Sequence, residues 1–342
     1  MAIDIYLVTG FLGSGKTSLL RSILSEGNTD TALIVNEFGE VGIDHLLLQS
    51  VAEDTVLLPN GCLCCTSNGE LSEAIYRLIS TSRVVGSPPL KRIVIETTGL
   101  SNPEPVIASI LQSSKTLDTR LAGVITVVDL IHAESQRINN AEWVGQVAAA
   151  DIIVLSKADL ASNDEKDTVL SHVLALNPGV TVHMNSDKET IRHLFEKHAP
   201  RTFRMIKLST TAGLHQAKIE SMSLTTDQPL DWLRFSTWLM LMTRKHGPKI
   251  LRMKAIFQDS STGHTVVVHG VQSQVYSPEL ISSMNDCCPT SQVVLIVRDL
   301  DPERIKASLR AFLGLPQPEC QAITEQYDNH GESMWASVVT GF

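Results

Sequence analysis

Gly10-Phe11-Leu12-Gly13-Ser14-Gly15-Lys16-Thr17 is the stretch on which the reading of this chain turns. It fits the pattern G-x-x-x-x-G-K-[ST]. The apolar run at residues 5–8 before it suits a buried parallel strand, and SLLRSILS after it, residues 18–25, reads as a helix closed near Gly27. Between a strand and a helix, the glycines let successive backbone N–H groups curl around phosphate oxygens, and the helix N-terminus adds its positive dipole. The segment therefore reads as a phosphate-binding loop, with Gly10, Gly13, Ser14, Gly15, Lys16, Thr17 and Ser18 around the phosphates. Lys16 would neutralise the β- and γ-phosphates, and the Thr17 hydroxyl would ligate Mg²⁺.

Outward from this loop the pattern alternates. Apolar runs at residues 31–36, 56–58, 92–96, 121–128 and within 148–156 read as strands, and residues 70–81 carry apolar side chains at helical spacing. Strands separated by helical stretches predict an α/β fold with a mostly parallel, doubly wound sheet. In such sheets, motifs at strand ends open onto one crevice beyond the carboxyl ends of the strands. The pattern weakens around residues 200–217. We expect a first domain over 1–205, a linker over 206–217 and a smaller α+β domain over 218–315 with a largely antiparallel sheet. Its elements are strands at 219–225, 250–257, 265–271 and 292–297 and helices at 231–244 and 302–312. Residues 316–342 lack clear periodicity and read as a tail.

Three further motifs fall at strand ends. Glu96-Thr97-Thr98-Gly99 closes the run RIVIE, where a carboxylate would hold Mg²⁺ directly or through water and the Gly99 N–H could sense a γ-phosphate. Leu100 stands where some GTPases carry a water-orienting glutamine, so slow intrinsic hydrolysis is expected. Ser156-Lys157-Ala158-Asp159 resembles the N-K-x-D motif that reads guanine. Asp159 could accept from guanine N1–H and the 2-amine, while adenine offers an acceptor at N1 and no amine. The Lys157 stem would pack along the base, and Ser156 stands in place of the usual Asn. The stretch Asn36 to Asp44 holds three acids, Glu37, Glu40 and Asp44, that could reach Mg²⁺ or a second metal.

Gly61-Cys62-Leu63-Cys64-Cys65 carries the most distinctive chemistry in the chain. Thiolates are soft ligands that suit Zn²⁺, and Co²⁺ can replace it in a tetrahedral thiolate site. In an extended segment Cys62 and Cys64 share one face, so all three can hold one ion only if the backbone turns at Leu63–Cys64. A two-thiolate site completed by Glu37, Glu40, a partner or water stands equally open. Cys287, Cys288 and Cys320 lack ligand spacing and read as structural, and His215, His264 and His269 as ordinary surface or strand residues.

Bulk properties set limits. With 342 residues, 43% hydrophobic and 19% charged, the chain can bury a real core and has room for two domains. A net charge of −9 argues against a protein that tracks nucleic-acid backbones. No run is apolar for long enough to cross a bilayer. The start Met1-Ala2-Ile3-Asp4-Ile5 lacks a positive n-region, which points to a reducing, cytoplasmic compartment.

Taken together these residues resemble the CobW-type metallochaperone GTPases, a branch of the group that also holds the nickel-enzyme maturation GTPases. The matching stretches are TGFLGSGKTSLL (9–20), VNEFGEVGID (35–44), LLPNGCLCC (57–65), IETTGL (95–100) and SKADL (156–160). In the second domain RFSTWL (234–239), ILRMKAIF (250–257) and VVVHGVQ (266–272) fit as well. The resemblance implies GTP and GDP as nucleotides, Zn²⁺ or Co²⁺ in the cysteine motif, and metal occupancy coupled to the nucleotide. It also implies a C-terminal domain that docks a client, either a metalloprotein or an enzyme of cofactor synthesis; a homodimer is left open. Two readings from other classes are an ATP-dependent small-molecule kinase and a nucleotide-regulated thiol redox switch. The Lys157/Asp159 pair speaks against the first. The lack of Lys or Arg in residues 56–72 speaks against the second.

Overall fold

The computed structural model describes residues 2–24, 30–35, 55–57, 69–81, 89–187, 191, 194–195, 219–281 and 290–316. Glu37, Glu40, Asp44, Cys62, Cys64, Cys65, Cys287, Cys288, Cys320 and His215 lie outside these residues, as do the expected linker and nearly all of the tail.

The first part of the chain runs β1 (Ile3–Thr9), α1 (Lys16–Leu24), β2 (Thr31–Val35), β3 (Thr55–Leu57), α2 (Gly69–Thr81), β4 (Arg92–Glu96), α3 (Pro103–Ser113) and β5 (Thr119–Asp129). It continues through α4 (Ala133–Asn139), α5 (Ala141–Ala149), β6 (Ile152–Ser156), α6 (Asn163–Leu176) and β7 (Thr181–Met184). The seven strands form one sheet in the order β3-β2-β4-β1-β5-β6-β7, and every neighbouring pair is parallel. The α/β expectation is met. β1, β2, β4 and β6 are continuous apolar runs because helices cover both faces of the sheet. On one face Ile5, Leu7, Ile93 and Ile95 pack with α2 and α3; on the other Tyr6, Val8, Val94 and Val127 pack with α1.

The apolar run at 148–156 is divided. Ala148 and Ala149 end α5, and the strand begins at Ile152. Asp151 makes the break: its Oδ2 accepts from the Val124 N–H at 2.9 Å, which turns the chain into the sheet.

The second part runs β8 (Ile219–Thr226), α7 (Trp232–His246), β9 (Ile250–Gln258), β10 (Thr265–Val271), β11 (Gln274–Val275), β12 (Glu279–Ile281), β13 (Ser291–Arg298) and α8 (Pro302–Leu313). Its sheet order is β11-β10-β9-β13-β8 with β12 paired to β10, antiparallel at each pairing. Period-two alternation splits the sheet faces. Met253, Ala255 and Phe257 of β9 pack with Phe235, Trp238 and Leu309 of α7 and α8. Arg252 and Lys254 point the other way, towards the first sheet.

That opposite face joins the two parts. Val271 lies in the apolar cluster of β1, α2 and α3, and Ile296 in the cluster of α5, β6 and α6. Between them Asp151 Oδ1 accepts from Arg252, and from Lys254 Nζ at 3.0 Å, with Arg252 1% and Asp151 21% exposed at the side chain. Arg252 also donates to the Tyr276 hydroxyl at 3.2 Å. Burial pushes Tyr276 up to about 12 and His269 down to about 3, so both are neutral beside the ion cluster near pH 7. His269 is thus a half-buried residue of β10, and among the described residues no cluster placed to hold a metal includes it. Burial alone would raise the Asp151 carboxyl, but the Arg252 and Lys254 charges carry it far below the usual range.

Removing one member of such a cluster strands the others without a counter-charge. Asp151→Asn should lower unfolding stability at pH 7 by about 3–5 kcal/mol, read as an earlier urea midpoint. Because the folded carboxyl titrates below the unfolded one, the Asp151 contribution is complete above the ordinary carboxylate range and is lost as pH falls through the folded value. The gap between variant and wild type should therefore be full at pH 7 and shrink in strong acid; a gap independent of pH would refute the assignment.

Candidate functional site

β1 lies between β4 and β5, so the carboxyl ends of β1, β4, β5 and β6 meet at one edge of the sheet. The loop after β1 has positive φ at Gly10 (142°), Gly13 (70°) and Gly15 (93°). A Cβ on Gly10 would sit 2.3 Å from the Val127 carbonyl oxygen, so only glycine lets the loop lie this close to β5. Lys16 opens α1, is 8% exposed, and donates from Nζ to the carbonyls of Gly10 at 2.9 Å and Phe11 at 3.2 Å. Its ammonium thus spans the mouth of the loop, where a phosphate would meet it. Ser14 is buried, while Ser18 is exposed in the first turn of α1.

Glu96 ends β4 and is 5% exposed; its Oε1 accepts from Thr17 Oγ1 at 3.0 Å. A hydroxyl and a carboxylate side by side are hard oxygen donors, the set that Mg²⁺ takes beside bound phosphates. The residues present therefore fit that ion. Thr97 is tied to β1 twice, by N–H to the Val8 carbonyl at 3.0 Å and by Oγ1 to Thr9 Oγ1 at 2.9 Å. Gly99 follows at closest approach to the loop: a Cβ there would lie 2.5 Å from the Leu12 nitrogen.

Ser156 ends β6, and its hydroxyl donates to the Ser14 carbonyl at 2.7 Å. The turn that would read the base is thereby fastened to the phosphate loop. Lys157 follows with φ of 58°, and its Nζ donates to Asp129 Oδ2 at 2.6 Å. Asp159 is exposed, so its discrimination against adenine would come from the desolvation that a bound base brings. The structure thus brings together the phosphate loop, Glu96, Gly99 and Ser156–Asp159. Among the described residues no group of three or more His, Cys, Asp or Glu side chains is placed to hold a metal.

Two residues here escaped the sequence reading. Gln146 of α5 is fully buried and donates from Nε2 to the carbonyls of Gly99 at 3.1 Å and Ser101 at 3.0 Å, which fixes the turn after β4. Asp129, 1% exposed, ends β5 next to Ser156. Burial raises its carboxyl, but hydrogen bonds from Lys157, His132 and the Ile131 N–H leave it below the usual range. Its one legible signal is a carboxylate closing an apolar strand, the same position that Glu96 holds on β4.

Residues 4–184 match the family model of the CobW/HypB/UreG nucleotide-binding domain, and residues 219–313 that of the cobalamin synthesis protein CobW C-terminal domain. The chain belongs to the CobW family. It is 34% identical to the zinc chaperone YjiA of Escherichia coli over 92% of this chain and 98% of that protein. It is 35% identical to the zinc-regulated GTPase metalloprotein activator 1 of Schizosaccharomyces pombe over 51% of this chain and 44% of that one. The zinc(II)-bound crystal structure of E. coli YjiA GTPase superposes with a TM-score of 0.65 at 27% identity, covering 93% of this chain and 100% of that one. The first match falls on the parallel sheet and the second on the antiparallel one.

In this CobW-family chain the Ser156 hydroxyl is one neutral hydrogen bond, worth about 0.5–1.5 kcal/mol net. Ser156→Ala should therefore weaken binding of a fluorescent guanine nucleotide roughly 2- to 10-fold. Unchanged affinity would show that the bond does not hold the loop for nucleotide.

Proposed function

We propose that this protein is a GTPase that binds a divalent transition metal, zinc foremost and cobalt as a second fit, and delivers it to a client protein or cofactor pathway. The observation that carries the reading is the Ser156–Ser14 bond, which joins a phosphate cradle to a guanine-type turn at the edge where Thr17 and Glu96 meet. Relatives that are named zinc chaperones and a zinc-regulated GTPase support the metal half of the reading.

In this scheme Gly10, Gly13, Ser14, Gly15, Lys16, Thr17 and Ser18 hold the phosphates, and Ser156, Lys157 and Asp159 hold the guanine. Thr17 and Glu96, with Asp44, would hold Mg²⁺, which supplies charge neutralisation across the β- and γ-phosphates. Gly99, which lies against Leu12 and is held by Gln146, would register whether a γ-phosphate is present. Cys62, Cys64 and Cys65 take the transferred metal, with Glu37 and Glu40 as additional ligands. In sequence these residues fall between the phosphate loop and Glu96, within the stretch that answers to nucleotide state in GTPases. Residues 1–205 carry nucleotide and metal, and residues 218–315 receive the client.

The test is an anaerobic titration of Zn²⁺ and Co²⁺ against a competing chelator, with the protein loaded in turn with Mg²⁺·GTP, Mg²⁺·GDP and Mg²⁺·ATP. At least tenfold tighter metal binding with GTP is expected, with cobalt–thiolate charge-transfer bands reporting the sulfur ligands. In Cys64→Ser the GTP-dependent gain should disappear while nucleotide affinity stays at the wild-type level. Equal metal affinity in all three nucleotide states would overturn metal delivery and leave the nucleotide assignment standing.

A further inference from the structure

Asp129 is a carboxylate with almost no contact with water at the end of an otherwise apolar strand. Such a group is costly to bury unless each oxygen is paired. Here each is. Oδ1 accepts from the Ile131 N–H at 3.0 Å; Oδ2 accepts from Lys157 Nζ at 2.6 Å and lies 2.8 Å from His132 Nδ1. The Leu130 N–H also donates to the Ser156 carbonyl at 3.2 Å, so the ends of β5 and β6 are joined through backbone as well.

The lysine that Asp129 holds is itself under constraint. A left-handed backbone at a residue with a side chain costs about 1–2 kcal/mol, and persists where surrounding contacts enforce it. Lys157 has that conformation, and its carbonyl accepts from the Leu160 N–H at 3.1 Å. This bond closes the turn that carries Asp159. The residue before it, Ser156, grips the phosphate loop. Asp129 therefore holds the one strained residue between the loop anchor and the base-reading carboxylate. With its ammonium on Asp129, the Lys157 stem is kept beside the turn, and its charge is matched inside the protein.

We infer that Asp129 is a positioning residue for base recognition: its ion pair with Lys157 sets the turn that presents Asp159, so that guanine meets a prearranged pocket. This rests on the reading of Ser156–Asp159 as the guanine site. It assigns no contact between Asp129 and the nucleotide.

The experiment compares Asp129→Asn, Lys157→Met, their double variant and His132→Ala in binding GDP, GTP, ATP and inorganic triphosphate, with steady-state GTP hydrolysis alongside. Lys157→Met keeps the aliphatic stem and loses only the charge. Asp129→Asn and Lys157→Met should each weaken GDP and GTP roughly tenfold or more, and the double variant should be no worse than either. The preference for GTP over ATP should fall and KM should rise. Triphosphate affinity and kcat at saturating GTP should stay within about twofold, because the phosphate cradle keeps its own bonds. His132→Ala, which removes the other partner of the same oxygen, should also stay within about twofold. Wild-type guanine affinity in Lys157→Met, where Asp129 keeps its contacts with His132 and the Ile131 N–H, overturns the inference even if Asp129→Asn fails to fold. An equal loss of triphosphate binding overturns it too. The guanine reading is tested separately by Asp159→Asn, whose amide should donate to the 2-oxo group of xanthine and shift preference from GTP to XTP. No shift there sinks the guanine site itself, whatever Asp129 does.

Discussion

Gly10 has no side chain, and its surroundings leave no room for one: a Cβ would lie 2.3 Å from the Val127 carbonyl oxygen and 2.9 Å from Ser14 Oγ. This close approach sets how tightly the phosphate loop lies over the central strands, and the rest of the site depends on it. Because the loop is pressed onto β5, its Ser14 carbonyl comes within reach of Ser156 at the end of β6. Because α1 begins at Lys16, Thr17 faces Glu96 across the adjoining strand end. The parallel sheet supplies the remaining condition, since only strands running the same way deliver their carboxyl ends, and hence Glu96, Asp129 and Ser156, to one edge.

β6 connects this edge to the rest of the molecule. Asp151, just before the strand, is paired with Arg252 and Lys254 of the second sheet; Ser156, its last residue, holds the phosphate loop. A five-residue strand spans about 17 Å, so the joint between the two parts and the nucleotide edge lie at opposite ends of one short, buried element. A second connection runs through α3. Asn102 caps that helix, and Glu104, buried in its first turn, accepts from Gln272 of the second part. Burial raises the Glu104 carboxyl, with Asn102, Arg298 and Gln272 opposing it. The segment between Glu96 and this helix contains Gly99, held from α5 by Gln146. The turn beside the phosphate loop is thus one short step from the second sheet.

Much of this was legible along the chain. The apolar runs of β1, β2 and β4 are buried on both faces and show no alternation, as parallel strands should. The helices α7 and α8 and the strand β9 were equally plain as elements, although β9 is buried on both faces, the second by the joint with the first part. The run at 148–156 was legible only in part: Ala148 and Ala149 suit a helix and a strand alike, and the boundary was decided by Asp151 bonding to the Val124 N–H. Asp129, Gln146 and Glu104 gave little signal, since an isolated acid or amide in sequence carries no indication of what it will face.

By itself the sequence determined the phosphate loop, the βα alternation that makes the sheet parallel, the acid closing β4, the lysine–aspartate turn and the cysteine cluster. These are local matters of backbone freedom, hydrophobic period and side-chain chemistry within a few residues. Tertiary structure decided that Ser156 would grip Ser14 across 142 positions, Thr17 meet Glu96 across 79, Gln146 hold Gly99 across 47 and Lys157 sit on Asp129 across 28. Such pairings depend on the strand order that puts β1 between β4 and β5. That order follows from burying both faces of the whole sheet at once, a condition no short stretch of sequence can express.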